Sequence, residues 1–364
     1  MDESRAYHFD SRLDGRSVVF PMGAVLPSPR VQQRRVGRHR KDGDARTDQS
    51  GRGSGVGYWC AVDHCYRRRR SRIRRVDAPE DRIHPQKDDK ILTDWNGLMI
   101  ASMARAGAVL NNEEYANSAM KAMDFILQNL QNKDGSLLKR YRKGNAGLTG
   151  VLDDYAFTIW ALIELYHLSY DEKYLEIAMN LSEYQIDQFW DFDNHGFFFT
   201  ATSGEQLLVR IKEVYDGAIP SGNSVSAYNF IRLARMTSRP DFEDTAFQII
   251  NAFAGQLNRG SSGYSMMMQA ADFVFGPSYE VLVFGKKENP KTQKMLEDIQ
   301  SIYMPNRVMV YGATGSANLK NIIPFVSYYP PAKDGKPLVY VCQNFSCKLP
   351  TSDFKVVKEQ LGGY

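Results

Sequence analysis

Three short groups of polar residues contain the side chains that could do chemistry in this chain. Their carboxylates are Asp94, Asp154 and Asp216, which we predict to be catalytic. One carboxyl group can protonate or deprotonate a sugar oxygen while another stabilises the charge that develops. Aromatic side chains can stack on the apolar face of a sugar ring, and hydroxyl and amide groups can bind its hydroxyls. The predicted binding residues are Trp95, Asn96, Tyr155, Ser221 and Asn223.

Each of these residues also has an ordinary structural interpretation. Asp94, Asp153 and Ser221 are of the types that cap helix N-termini. Asp216 precedes a loop rich in Gly and Pro, where aspartate is a common turn residue. A cap needs only one acid, so we predict that Asp153 caps its helix while Asp154 faces a pocket. Trp95 fits a core position as well as a stacking one.

Hydrophobic patterning predicts three helical hairpins that bring these groups together. In each pair the first helix is apolar on nearly every side, which is typical of an inner helix, and the second is amphipathic. Loops of two to five residues make the partners antiparallel, so all inner helices begin on one rim. The predicted pairs are 94–110 with 113–130, 151–168 with 174–189, and 224–236 with 241–257.

Residues 276–364 have a different character, with short strands alternating with helices. Near their end, Cys342 and Cys347 are separated by four residues, a spacing unlike the redox C-x-x-C motif. Cys60 and Cys65 repeat that spacing, and a four-cysteine zinc site is conceivable. We expect no metal and no cofactor, because one pair lies in an unusual segment and no glycine loop suited to phosphate is present.

That unusual segment is the strongly basic first part of the chain. Residues 1–86 hold 19 Arg and Lys against 11 Asp and Glu, and the remainder holds 27 against 31. The segment uses 18 Arg but one Lys, and it has no helical or strand periodicity. We predict that residues 1–80 are disordered, as an out-of-frame translation would be, and favour this over an arm that binds nucleic acid.

Four stretches resemble the YyaL-type family, which includes the spermatogenesis-associated thioredoxin-like proteins of animals. They are DRIHPQKDDKILTDWNGLMI at 81–100, LDDYAF at 152–157, DGAIPSGNS at 216–224 and LVYVCQNFSCKLPTSD at 338–353. The resemblance implies a thioredoxin-like domain followed by an (α/α)6 toroid of the six-hairpin glycosidase and N-acylglucosamine epimerase kind. It covers residues 81–361 only.

The expected fold is therefore mainly α. We predict a partial (α/α)6 toroid of three hairpins over residues 81–275, with a small C-terminal α/β appendage over 276–364. A ring with three of its six hairpins leaves apolar faces uncovered around 151–168, which predicts self-association.

Two functions are compatible with this fold. The first is a sugar-binding or sugar-converting toroid, epimerase-like or glycosidase-like in its complete form, with a small-molecule sugar as its partner. The alternative is a non-catalytic scaffold or client-binding module that works with a thioredoxin-like redox domain. The sequence has neither an apolar run of membrane-spanning length nor a signal peptide, so we expect a cytoplasmic protein without membrane or nucleic-acid partners.

Overall fold

A computed structural model describes residues 88–205, 207–313, 317–329, 335–343 and 346–362. The predictions made for residues 1–80, including those for Cys60 and Cys65, lie outside the described residues.

The described chain is mainly helical and contains the three predicted hairpins. Their inner helices are α1, α3 and α5, and their outer helices are α2, α4 and α6. The bounds are α1 Thr93–Leu110, α2 Glu113–Asn129, α3 Leu152–Ser169, α4 Glu172–Phe189, α5 Gly222–Thr237 and α6 Pro240–Arg259. The prediction of a partial (α/α)6 toroid is confirmed. Within the described part of the chain, no helix combines the length and apolarity needed to cross a membrane.

Each hairpin turns through two residues, the first of which has left-handed backbone. These are Asn111, Tyr170 and Ser238, with φ of 48°, 52° and 55°. A left-handed residue after a helix ends it by offering its N–H to a carbonyl of the last turn. The second turn residue then starts the outer helix, as Asn112 and Asp171 do by accepting backbone N–H bonds with their side chains.

The middle inner helix, α3, is buried along almost its whole length because α1 and α5 flank it. α1 approaches it closely at Gly97, where a Cβ would lie 2.8 Å from the backbone carbon of Phe157. The prediction that the faces around 151–168 stay exposed is wrong. The uncovered apolar surface lies on α1 instead, where Trp95, Val109 and Leu110 are exposed.

Long connections between the hairpins lie along the rim where the inner helices begin. The first connection supplies β2 (Leu138–Arg142) and β3 (Asn145–Thr149), which form a three-stranded antiparallel sheet with β1 (Ile91–Leu92), the strand that precedes α1. A tight turn at Lys143 and Gly144, both with positive φ, joins β2 to β3. The sequence analysis did not predict this sheet, although it supplies a residue of the candidate site.

The C-terminal region is the predicted α/β appendage. After helix α7 (Ser265–Phe275), a four-stranded sheet has the order β5-β4-β6-β7, with β4 parallel to β5 and antiparallel to β6. Its elements are β4 Tyr279–Gly285, α8 Pro290–Gln300, β5 Arg307–Ala313, α9 Ala317–Ile322, β6 Leu338–Gln343, β7 Ser346–Cys347 and α10 Phe354–Gln360.

This appendage packs under the opposite rim, where the inner helices end. Tyr311 donates its backbone N–H to the hydroxyl of Tyr166 at 3.3 Å. The Gln300 side-chain amide donates to the hydroxyl of Tyr170 at 2.8 Å. Tyr166 lies in the last turn of α3, and Tyr170 directly follows that helix. The sheet is therefore fixed to the helices by polar contacts as well as by apolar packing.

Cys342 and Cys347 form a disulfide between β6 and β7, with their Cα atoms 3.9 Å apart. Because both thiols are used in this bond, the pair cannot serve as thiolate ligands of a zinc ion while it is oxidised. Among the described residues, no three His, Cys, Asp or Glu side chains are grouped as ligands of a metal ion would be.

Candidate functional site

Asp94, Asp154 and Lys139 meet on the rim where α1 and α3 begin. The Lys139 ammonium lies 2.6 Å from Asp94 Oδ2 and 3.4 Å from Asp154 Oδ1. Asp154 Oδ1 also accepts the backbone N–H of Asp94 at 3.0 Å. The two inner helices are therefore joined at their N-termini by a buried carboxylate and a shared cation.

Asp154 bonds back to the start of α3, so the prediction that Asp154 faces a pocket while Asp153 caps the helix is wrong for Asp154. Its Oδ2 accepts the backbone N–H of Val151 at 2.8 Å, which is the reciprocal bond of a capping box. The side chain has no exposed surface. Burial raises the pKa of Asp154 to about 7, against the opposing charge of Lys139. Asp154 therefore positions the rim and does not face a pocket.

Asp153 is the half-buried member of the pair and faces the neighbouring helix start. Its carboxylate lies against the backbone N–H of Gly222, the first residue of α5. Burial raises the pKa of Asp153 to about 6, the charge of Lys139 opposes this, and the carboxylates of Asp94 and Glu213 add to it. A partly accessible carboxyl group with this pKa can exchange a proton near neutral pH.

Lys139 is the residue of this candidate site that was not predicted from the sequence. It lies on β2, which pairs with β1 just before α1 begins. Burial alone would lower the pKa of Lys139, but the carboxylates of Asp154 and Asp94 hold it above its ordinary value. The detectable signal was the glycine of the Lys143-Gly144 pair, since a two-residue turn with glycine is typical of a β-hairpin.

Trp95 is exposed over 54% of its surface beside this cluster. It lines a hollow of about 350 Å³ together with Leu98, Met99, Ser102 and Ile219. Ile219 belongs to the loop that leads into Gly222, so the hollow adjoins the start of α5. An exposed indole next to an apolar hollow can stack on a flat ligand, so the role of Trp95 in binding stays a prediction.

Asp216 does not join the cluster. Its Oδ1 accepts the backbone N–H of Ser221 at 2.9 Å, and its Oδ2 accepts those of Met266 and Met267 at 2.8 and 3.1 Å. The carboxylate therefore caps α7 across a long sequence separation and holds the loop before α5. These bonds occupy both oxygens, so its predicted catalytic role has no structural support.

Four of the predicted binding residues are used inside the protein. Tyr155 is buried, accepts the backbone N–H of Leu137 at 2.8 Å, and stacks on Tyr184. Asn223 is fully buried and pairs with the backbone of Phe197 through both ends of its amide. Ser221 caps α5, and the Asn96 amide donates to the Leu92 carbonyl at 2.7 Å. They support the rim instead of lining a pocket.

The site that remains is a compact acidic cluster with one cation. Asp94 and Asp154 pair with Lys139, and Asp153 and Glu213 bring the cluster to four carboxyl groups. Such a cluster repels anions and favours ligands that donate hydrogen bonds. Asp153 supplies a proton-exchanging group, and Trp95 an apolar face.

No protein-family model matches the chain. Among curated proteins, the chain is 32% identical over 287 residues to spermatogenesis-associated protein 20 of Rattus norvegicus and 31% identical to that of Homo sapiens. Both alignments cover 76% of this chain and 36% of the relative. The chain thus spans about a third of the length of the curated relatives it matches.

Two solved structures with similar folds are named as cellobiose 2-epimerases. Cellobiose 2-epimerase from Bacillus thermoamylovorans superposes with a TM-score of 0.42 and 15% identity over 73% of this chain and 68% of that one. The corresponding enzyme from Spirochaeta thermophila gives a TM-score of 0.38 and 18% identity over 45% and 43%. Likenesses at this level imply no activity for this chain.

Proposed function

We propose that the rim site of this chain, which is homologous to part of spermatogenesis-associated protein 20, binds a neutral carbohydrate. The homology itself specifies no reaction. Asp153 exchanges a proton with a sugar hydroxyl, Asp94 and Lys139 balance the charge, and Trp95 stacks on the ring. The homology and the partial (α/α)6 arrangement of the helices are compatible with this proposal, which rests on the geometry of the rim.

The supporting observation is the environment of Asp153. This carboxylate is half-buried beside a lysine and a helix N-terminus, and its pKa is raised to about 6. General acid–base catalysis is most effective when the pKa lies near the working pH. The surrounding carboxylates disfavour an anionic ligand, and the hydroxyl groups of a neutral polyol can donate hydrogen bonds to them.

A titration of neutral mono- and disaccharides by calorimetry or saturation-transfer NMR tests the proposal. Asp153→Asn should weaken binding by roughly 10- to 100-fold, because a hydrogen bond to a charged group is lost. Asp244→Asn makes the same change at an exposed position on the outer helix α6 and should leave binding unaltered. Absence of binding by the unmodified chain, or equal effects of the two variants, would refute the proposal.

A second function, as a protein-binding scaffold, is favoured by one other observation. Four apolar side chains in the loop before α5 are strongly exposed, and Leu208 has no protection from solvent at all. Exposed apolar groups of this density mark protein contacts more often than sugar contacts. The four residues are Leu207, Leu208, Val209 and Ile211. Failure of every saccharide in the titration would favour this function.

A further inference from the structure

A cavity lies between the C-terminal ends of the inner helices and the α/β appendage, on the rim opposite Asp153. Its volume is about 140 Å³. Engineered protein cavities of about 150 Å³ hold a benzene-sized ligand, so the space admits a molecule of roughly six heavy atoms. Charged side chains from three elements line it: Arg105 of α1, Glu164 of α3 and Arg232 of α5, with Arg307 entering from β5.

One pair of these charges is balanced. Arg232 is 3% exposed, and its Nη1 lies 2.8 Å from Glu164 Oε1. Its Nη2 lies 3.2 Å from Nδ1 of His167. Burial, reinforced by the charge of Arg232, lowers the pKa of His167 to about 3, so this imidazole is neutral at physiological pH. Burial alone would raise the pKa of Glu164, but Arg232, His167 and Arg105 hold it below its ordinary value.

Neither of the other two cations forms an ion pair with a described carboxylate. Arg307 is partly buried and donates from Nη1 to the carbonyl of Ile299 at 2.6 Å. Arg105 is exposed to solvent, and its charge acts on the Glu164 carboxylate. The Nε of the buried Arg232 also lacks an acceptor there. Three arginines against one glutamate leave the cavity wall with an excess of two positive charges.

Removing cations from water without a counter-charge is costly. A structural network would be expected to balance its charges, as Arg232 and Glu164 do. The guanidinium groups of Arg105, Arg232 and Arg307 instead line a space of ligand size, and the planar guanidinium group matches carboxylate and phosphate oxygens well.

We propose that this cavity binds the oxyanion group of a small molecule, a phosphate or a carboxylate, through Arg105, Arg307 and the buried Arg232. Arg105 and the exposed Tyr303 lie where a ligand would enter from solvent. The site is on the other rim from the carbohydrate site and does not depend on it.

Calorimetric titrations of the whole chain with inorganic phosphate and, separately, with malonate distinguish the two sources of the oxyanion. Binding of either supports the site and identifies its class. Arg307→Gln and Arg105→Gln should each weaken that binding roughly ten-fold or more, because a charge-assisted hydrogen bond is removed. Arg259→Gln removes the same charge from an exposed position on the last turn of α6 and should have no effect.

Thermal unfolding provides a second readout that a structural role of Arg307 would not reproduce. Without anion, Arg307→Gln should change the melting temperature little, since the loss of the hydrogen bond to the Ile299 carbonyl is offset by the removal of an unbalanced cation from a half-buried position. With phosphate or malonate, the stabilisation seen in the unmodified chain should disappear. The proposal would be overturned if neither anion bound, or if Arg307→Gln and Arg259→Gln weakened anion binding equally.

Discussion

Asp153 and Asp154 are one step apart on α3, a rotation of about 100°, and this rotation separates their environments. Asp154 turns towards α1 and accepts two backbone N–H groups, from Val151 and Asp94. Asp153 turns towards α5 and remains half-buried at the N–H of Gly222. One carboxylate therefore fixes the rim, and the other is available to a ligand.

Asp154→Asn should destabilise the protein, and Asp153→Asn should not. An amide at position 154 replaces one oxygen by an NH2 group that would face a backbone donor, so we expect a loss of about 1 to 3 kcal/mol. Asp153→Asn at pH 7 should change the free energy of unfolding by less than about 1 kcal/mol. Urea unfolding of both variants measures this. Equal losses would mean that both carboxylates are structural.

The free energy of unfolding should depend on pH in a way that reports the titration of Asp153. Its folded-state pKa of about 6 lies above the ordinary value of 3.8, so the folded protein holds a proton that the unfolded chain releases. This contribution to stability is complete below about pH 4 and is lost as the pH rises through about 6. Relative to Asp153→Asn, the unmodified chain should lose up to roughly 3 kcal/mol between pH 4 and 8, before screening by solvent.

Unfolding free energies of the two proteins, measured across that range, check this expectation. The difference between them cancels the titration of groups that do not interact with Asp153. A difference that is independent of pH would show that Asp153 has an ordinary pKa in the folded state.

The sequence could identify the Asp153-Asp154 pair but not assign its roles. Both residues are good caps, and which carboxylate turns back to the helix start depends on the neighbouring helices. The same limit applies to Asp216, whose partners Met266 and Met267 lie 50 and 51 residues away. Such long-range bonds leave no local pattern.

At the scale of elements, the site depends on how closely α3 and α5 approach each other. Gly222 opens α5 directly against α3, and a Cβ there would collide with a carboxylate oxygen of Asp153 and with the side chain of Leu152. The glycine is therefore needed for the approach and not for an unusual backbone angle. It sets the distance between Asp153 and the α5 N-terminus.

Gly222→Ala should destabilise the protein by about 1 to 3 kcal/mol, because the added methyl group overpacks the contact. Gly255→Ala is the matched control, since Gly255 lies in α6 with nothing within 4 Å of its Cβ position. That control should stabilise the protein by roughly 0.5 to 1 kcal/mol through its higher helix propensity. Thermal melts measure both, and a stabilising Gly222→Ala would contradict the close approach.

Helix periodicity predicted all six hairpin helices, with ends within two residues of the observed ones. The strong signal was the contrast between helices that are apolar all round and helices with one apolar stripe. The β2-β3 hairpin was missed because its strands are short, polar and half-exposed, so they lack the alternation that marks a strand. Because Lys139 lies on β2, its place in the candidate site was not predicted either.

At the scale of the whole molecule, the C-terminal α/β region fixes one rim of the helical hairpins and leaves the other open. The two candidate sites follow this division: an acidic site on the open rim and a basic cavity at the closed one. Four long sequence matches predicted the partial ring, but the basic cavity needs the sheet and the helices in contact. No periodicity or motif could indicate that contact.

Self-association remains a prediction, now placed on α1. One stripe of this inner helix is uncovered in the described structure, and it includes Trp95, Ala106 and Val109. Ala106→Glu should reduce concentration-dependent association in sedimentation velocity, because a charge within an apolar contact is costly. Gln128→Glu adds the same charge on the outer helix α2 and should have no effect. A monomer at all concentrations would exclude the association.

A carboxyl-carbon NMR titration of aspartate-labelled protein, with and without neutral saccharides, is the most direct test of the role proposed for Asp153. We predict that the Asp153 resonance, assigned through Asp153→Asn, titrates near pH 6 and shifts when a saccharide binds. Asp244 on the outer helix should not respond to the saccharide. An Asp153 resonance that titrates near the ordinary value of about 4 and is unmoved by every saccharide would show that Asp153 does not have this role.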